Sequence, residues 1–144
     1  MKATLKTFLN PGNYHKNIDI ILLMLRLAVG IFMLTHGAGK MLKLFGDEPI
    51  KFADPLGLGA TTSLILIVFS EVVCSILLIV GLATRFAAIP LFISMLVVVF
   101  IVHGADGFGK QELPLLYSTA YLMLAIAGAG KISVDKIIYN KLNY

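Results

Sequence analysis

The sequence predicts an all-α protein, a bundle of four antiparallel transmembrane helices. Hydrophobic residues make up 58% of the 144 residues and charged residues 14%, whereas about a quarter of a soluble domain is charged. The apolar residues gather in four runs that reach or approach the ~20 residues needed to cross a bilayer. The runs lack the alternation of a membrane barrel. Because backbone groups in lipid must bond within their own segment, the runs are expected to be helices.

The predicted spans are residues 18–36, 61–83, 86–103 and 113–130, within one membrane domain that covers residues 1–144. Arg26 interrupts the first run and Glu71 the second, and the other two carry no formal charge. The first run is too long for the apolar part of a secretory signal and lacks a small-residue cleavage site, so we expect it to be retained.

Three connections join the predicted spans, at residues 37–60, 81–85 and 104–112. Residues 37–60 contain Gly, Pro and mixed charge, which predicts a folded extracytoplasmic loop with a short helix. Residues 81–85 predict a tight hairpin.

Seven Lys and Arg residues lie on the side of this hairpin and both termini, four lie on the other side, and the twelfth is Arg26. This asymmetry predicts that both termini are cytoplasmic.

The tail, residues 133–142, predicts a short amphipathic helix on the membrane surface. Ser133 is suited to be its N-cap, and Asp135 falls in the first turn, where a negative charge is favourable. One face would carry apolar residues at helical spacing: Val134, Ile137, Ile138 and Leu142.

Arg26 and Glu71 are predicted to form a polar pair inside the membrane. A charge near the bilayer centre costs about 2.5–3.5 kcal/mol on insertion scales, and opposite charges on consecutive antiparallel spans would compensate each other. One interpretation is an ion pair that fixes helix register. The other is a functional site in which Glu71 carries a proton or binds a polar headgroup while Arg26 sets its charge.

A stripe on the first span joins five residues at spacings of four and three: Arg26, Gly30, Met33, Gly37 and Lys40. Gly30 would allow a neighbouring helix to approach closely. The stripe is either an inward packing face or the wall of a polar cleft that opens outward at Lys40.

Polar residues also gather at the non-cytoplasmic ends of the first and third spans. His36 and His103 end these spans at similar depth, and Lys40, Asp106 and Glu112 lie nearby in sequence. His36, Lys40, His103 and Glu112 are therefore candidates for a quinone headgroup or ligand pocket. The alternative is an interfacial histidine pair that only tolerates water.

The sequence offers little support for a metal site or for nucleic acid binding. The single cysteine, Cys74, lies in an apolar run, and no Cys/His cluster predicts a metal site. The net charge of +4 comes without a basic stripe interleaved with aromatic residues, so no nucleic acid partner is expected.

Several motifs together resemble the DoxX family. They are RLAVGIFMLTHGAGK at 26–40, Glu71 followed by GLATR at 81–85, His103, ELPLLY at 112–117, and GAGKISVD at 128–135. The resemblance covers about residues 18–136, and Ala129 stands where the family often has proline. It implies a four-helix bundle in the bacterial inner membrane, in a family named after a subunit linked to quinone-reducing sulfur oxidation.

The resemblance and the polar residues together predict an accessory subunit of a quinone-linked membrane redox complex. It would contact quinone, or a partner's cofactor, through Arg26, Glu71, His36, Lys40 and His103. The alternative is a non-enzymatic scaffolding subunit of another inner-membrane complex, and a small transporter is less favoured. The expected partners are the lipid bilayer and other membrane subunits or a second copy of the chain.

Overall fold

The computed structural model describes residue 7 and residues 9–142 of the chain. In this part of the chain the fold consists of helices without strands: α1 (Lys16–Phe45), α2 (Ala60–Val80), α3 (Thr84–Val102), α4 (Phe108–Ala127) and α5 (Val134–Lys141). The all-α prediction is confirmed.

Helices α1, α2 and α3 are long and apolar enough to cross a membrane. Each contains an 18-residue stretch that is strongly apolar and carries at most two charged residues. Helix α4 has 20 residues, but it carries the polar residues 110–112 close to its start and does not reach the same apolar character. It packs most extensively against α3, so four long helices lie side by side.

Helix α1 is longer than the sequence predicts. It ends at Phe45 rather than at residue 36, so His36 and Lys40 lie on the helix and not in a loop. Residues 37–45 contain no proline that would stop the helix, and the chain turns only before Pro49. The first loop is therefore residues 46–59, and the short helix predicted there is wrong.

Asp54 closes this loop onto the start of α2. Its carboxylate accepts hydrogen bonds from the backbone N–H of Leu58 at 2.9 Å and of Gly59 at 2.7 Å, and from the Ser63 hydroxyl at 2.7 Å. The carboxylate thus satisfies donors where the helix begins.

The hairpin predicted at residues 81–85 is confirmed. Gly81 ends α2 in the left-handed conformation at φ 70°, and the N–H of Leu82 donates to the carbonyl of Leu77 at 2.9 Å. This is the usual glycine stop of a helix. Helix α3 begins at Thr84. We call the end of the bundle with this hairpin and residues 128–142 the hairpin end, and the end with loops 46–59 and 103–107 the loop end.

The stripe predicted on the first span packs inward against α2. Arg26, Gly30, Met33 and Gly37 are buried, and Lys40, at the loop end of the stripe, is half-buried. The two glycines let the helices approach closely. A Cβ at Gly30 would lie 3.2 Å from the Ser75 carbonyl, and one at Gly37 would lie 2.8 Å from Val72 Cγ2.

Helix α5 begins as the sequence predicts. The Ser133 hydroxyl accepts from the N–H of Lys136 at 3.2 Å, and Asp135 lies in the first turn. The Asp135 carboxylate is 1% exposed and accepts from the N–H groups of Ala83 at 2.6 Å and Thr84 at 3.0 Å. From the first turn of α5 it therefore caps the start of α3, a connection that the sequence did not predict.

Candidate functional site

An open cavity of about 430 Å³ lies at the loop end, among all four long helices. Its polar and aromatic lining is His36, Lys40, Glu71, His103, Lys110 and Tyr117, and most of the remaining lining is apolar, including Met33, Met95 and Val98. A few polar groups in an apolar wall are typical of sites for small organic ligands, and the volume lies in their range.

Two π-helical turns border this cavity. Residues Phe69–Cys74 form one in α2 and Val98–Val102 form the other in α3. Glu71 lies within the first, and His103 follows the second directly. Single π turns inside α-helices are frequent at functional sites, because the extra residue changes where side chains point.

Glu71 is paired with Lys40 across the α1–α2 interface. Lys40 Nζ lies 2.5 Å from Glu71 Oε1, and the side chains are 30% and 3% exposed. Glu71 Oε2 is sealed and has no hydrogen-bond partner in the described residues. The positive charge of Lys40 thus compensates a carboxylate that water does not reach. The Lys40 side chain itself is partly exposed to the cavity.

The predicted pairing of Arg26 with Glu71 is wrong. Arg26 is 1% exposed, donates from Nη2 to the Ile132 carbonyl at 2.7 Å, and packs beside Gly81 at the hairpin end. The Asp135 carboxylate acts on its positive charge electrostatically. Gly37 lies level with Glu71 on the facing helices, and the 11 residues from Arg26 to Gly37 separate the two charges by about 16 Å.

Aromatic rings form one wall of the cavity. The His36 and Tyr117 rings meet edge to face with centroids 6.4 Å apart, and Tyr117 stacks on Tyr121 at 5.9 Å. The Tyr121 hydroxyl donates to the Val29 carbonyl at 3.4 Å, which ties α4 to α1. The His36 ring makes no hydrogen bond to any described residue, so both its nitrogens are available to a ligand.

His103 is held by a carboxylate at the mouth of the cavity. Its Nδ1 lies 2.7 Å from Asp106 Oδ2, and its carbonyl accepts from Gln111 Nε2 at 2.7 Å. Lys110 Nζ lies 3.3 Å from the same Asp106 oxygen. The hydrogen bond from His103, together with Lys110, holds the pKa of Asp106 below its ordinary value. Asp106 is therefore a carboxylate at neutral pH.

The cavity brings together three of the four residues that the sequence predicts for a ligand pocket. His36, Lys40 and His103 line it together, whereas Glu112 is exposed and does not line it. Sequence reasoning missed Lys110 and Tyr117. The contact between His103 and Asp106 could have been predicted from the sequence, because the two residues are only three positions apart. Among the described residues, no group of three or more His, Cys, Asp or Glu is placed to hold a metal ion.

The sequence model of the DoxX family matches residues 21–104, more than half of the chain. The chain belongs to the DoxX family. The matched segment contains the helices α1 to α3 almost entirely, and with them Lys40, Glu71 and His103. The cavity of this DoxX-family protein is thus built mostly from the part that defines the family, and α4 completes it.

Two relatives come from Haemophilus influenzae, and both are named only as uncharacterized proteins. The first is 34% identical over 138 residues, which cover 90% of this chain and 99% of that protein. The second is 38% identical over 73 residues, 48% of each chain. No solved structure matches the chain.

Proposed function

We propose that this DoxX-family protein is an accessory subunit of a quinone-linked redox complex in the bacterial inner membrane. In this proposal the loop-end cavity binds the quinone headgroup. The observation that carries the proposal is the Lys40–Glu71 ion pair. It places a partly exposed ammonium group, paired with a buried carboxylate, in a cavity whose other walls are largely apolar.

The lining suits the chemistry of a quinone. A quinone is a flat apolar ring with two carbonyl oxygens that accept hydrogen bonds. An ammonium group has three donors, and Lys40 uses one on Glu71, so the others can reach a carbonyl oxygen. The Tyr117 ring and the side chains of Met33 and Met95 offer apolar contacts for the ring face.

The proposal includes a membrane arrangement. Helix α4 is the fourth span, both termini are cytoplasmic, and α5 lies on the membrane surface with Ile137 outward. Three facts support it: the asymmetry of Lys and Arg along the sequence, the packing of α4 beside α3, and the 58% exposure of Ile137. The cavity would then open near the extracytoplasmic headgroups, where a lipid-soluble quinone can enter.

Quinone extraction tests the proposal. The protein is purified from native membranes with wild-type sequence, with Lys40→Met, and with the matched control Lys43→Met, and bound quinone is quantified in each. Lys43 is exposed, one turn further along α1, and outside the cavity lining. We expect quinone to co-purify with wild type and K43M and to be lost from K40M. No quinone on wild type, or equal retention by K40M and K43M, would contradict the proposal.

A non-enzymatic scaffolding role is the second candidate. The observation that favours it is that two cations of α1 tie it to neighbouring segments, the half-buried Lys40 to α2 through Glu71 and the buried Arg26 to the connection between α4 and α5 through the Ile132 carbonyl. In that case Glu71→Gln would lower the stability of the protein and leave the turnover of an associated redox partner unchanged. Loss of turnover at unchanged protein level would refute this role.

A further inference from the structure

We propose that His103 and Asp106 form an acid–base pair, in which His103 Nε2 accepts the hydroxyl proton of a hydroquinone bound in the cavity. The identity of the ligand rests on the proposed function above. The state of the His103 ring rests on the structure alone and is tested separately.

Asp106 determines which nitrogen of His103 carries the proton. An ionised carboxylate only accepts hydrogen bonds, and Asp106 Oδ2 lies 2.7 Å from His103 Nδ1. Nδ1 therefore carries the hydrogen, and the neutral ring keeps its lone pair on Nε2. The hydrogen bond from Gln111 to the His103 carbonyl fixes the residue from the backbone side.

His103 is the acceptor that this tautomer makes available. Lys40 and Lys110 are donors only. One oxygen of Glu71 is bonded to Lys40 and the other is sealed from water and ligand. The His36 ring lines the same cavity without a carboxylate to set its tautomer. The titratable groups that face the cavity from all sides are His36 and Lys40 of α1, Glu71 of α2, His103, and Lys110 and Tyr117 of α4.

The step is a proton transfer without electron transfer. The O–H bond of the hydroquinone breaks, an N–H bond forms on His103 Nε2, and the products are an imidazolium and a hydroquinone monoanion. The ammonium of Lys40 lies in the same cavity and stabilises the new negative charge. Because His103 is 30% exposed and Asp106 36% exposed, the proton can leave to water at the loop end.

The first test is ¹⁵N NMR of the histidine rings, with ¹⁵N-labelled protein in detergent micelles at pH 8. The chain has three histidines, and His103→Gln assigns the signals. We expect His103 of the wild type to carry its proton on Nδ1, and Asp106→Leu to shift that equilibrium toward Nε2. A wild-type His103 protonated mainly on Nε2 would overturn the inference whether or not quinone binds.

The second test compares the affinities of a short-chain benzoquinone and its hydroquinone. We expect the hydroquinone to bind wild type about tenfold more tightly, the effect of one well-made hydrogen bond. His103→Leu should abolish this preference, because the hydroquinone then loses about tenfold more affinity than the benzoquinone does. The matched control is His15→Leu, at an exposed histidine of the hairpin end, which should keep the preference.

The outcomes separate the two proposals. If both ligands bind wild type equally, or if H103L keeps the preference, the acid–base pair is refuted and the quinone site stands. If neither ligand binds wild type, the proposed function fails and the hydroquinone step fails with it.

Discussion

Replacing Lys40 by methionine should destabilise the protein more than replacing its partner Glu71 by glutamine. The two substitutions break the same ion pair, but they leave different groups behind. K40M leaves a carboxylate in a side chain that is 3% exposed, whereas E71Q leaves an ammonium in a side chain that is 30% exposed and that water can solvate. The glutamine also keeps an oxygen that can accept from Lys40.

The size of the difference follows from these exposures. Removing one partner of a buried pair costs about 3–5 kcal/mol, because the other charge stays uncompensated. We therefore expect K40M to lower the free energy of unfolding by about 3 kcal/mol. E71Q should cost about 1 kcal/mol, as for a partly exposed pair.

Unfolding by SDS in mixed micelles measures these values for wild type, K40M, E71Q and the double variant. The double variant should lie close to E71Q, since the sealed charge is then gone. K43M, at an exposed lysine on the same helix, serves as control and should stay within about 0.5 kcal/mol of wild type. The reasoning is refuted if E71Q costs as much as K40M, or if the two losses simply add in the double variant.

Three further changes test other parts of the fold. Asp135→Ala should lower the free energy of unfolding by about 3 kcal/mol, because it uncaps α3 and leaves the buried Arg26 without its carboxylate; a loss below about 1 kcal/mol in the same SDS assay would contradict this. Gly37→Ala should cost about 1–3 kcal/mol through overpacking. Its control Gly39→Ala, where a Cβ meets nothing within 4 Å, should be neutral or stabilising by up to about 1 kcal/mol in that assay. Asp54 has its pKa lowered, first by the Ser63 hydroxyl and then by backbone N–H groups. Its contribution to stability should be complete above about pH 4 and be lost as pH falls further, so thermal melts of wild type should drop there more than those of Asp54→Asn.

The positions of the long helices could be predicted, whereas one of their ends could not. Apolar runs mark the parts of a helix that avoid water, and all four predicted spans overlap a helix. The predicted end of α1 is wrong because the glycines from Gly37 onward indicate a loop. Gly37 instead gives α2 room to approach, and the packing gained there outweighs the low helix propensity of glycine.

Part of the site was predictable because α1 and α3 run in the same direction. His36 and His103, near the loop end of both, therefore meet at one cavity with Lys40. Whether Glu112 faces the cavity depends on the rotation of α4 about its own axis. The apolar pattern of this helix does not determine that rotation. Lys110 faces the cavity, and two residues further a helix has turned by about 200°. Glu112 accordingly points away and is exposed.

Which residues pair with the buried charges depends on the register of α1 against α2. This register cannot be obtained by counting how many residues separate each charge from the end of its predicted span. The register is set where glycines allow contact, with Gly30 beside Ser75 and Ile79 and Gly37 beside Glu71. In that register the first ten residues of α1 extend beyond the α2–α3 hairpin. Residues 128–135 pack around this extension, and Asp19 accepts there from the N–H of Lys131 at 2.8 Å.

Arg26 is thus buried by protein at the hairpin end, and it has no part in the cavity. The two buried charge sites lie about 16 Å apart along α1 and share no hydrogen-bond partner among residues 9–142. Sites this far apart are expected to be independent within about 0.5 kcal/mol. Arg26→Met should therefore lower stability and leave the affinity for a short-chain benzoquinone unchanged. The prediction is contradicted if R26M and K40M lose the same benzoquinone affinity while their melting curves show that both variants are folded. In that case the Arg26 and Lys40–Glu71 charges would act together on the ligand.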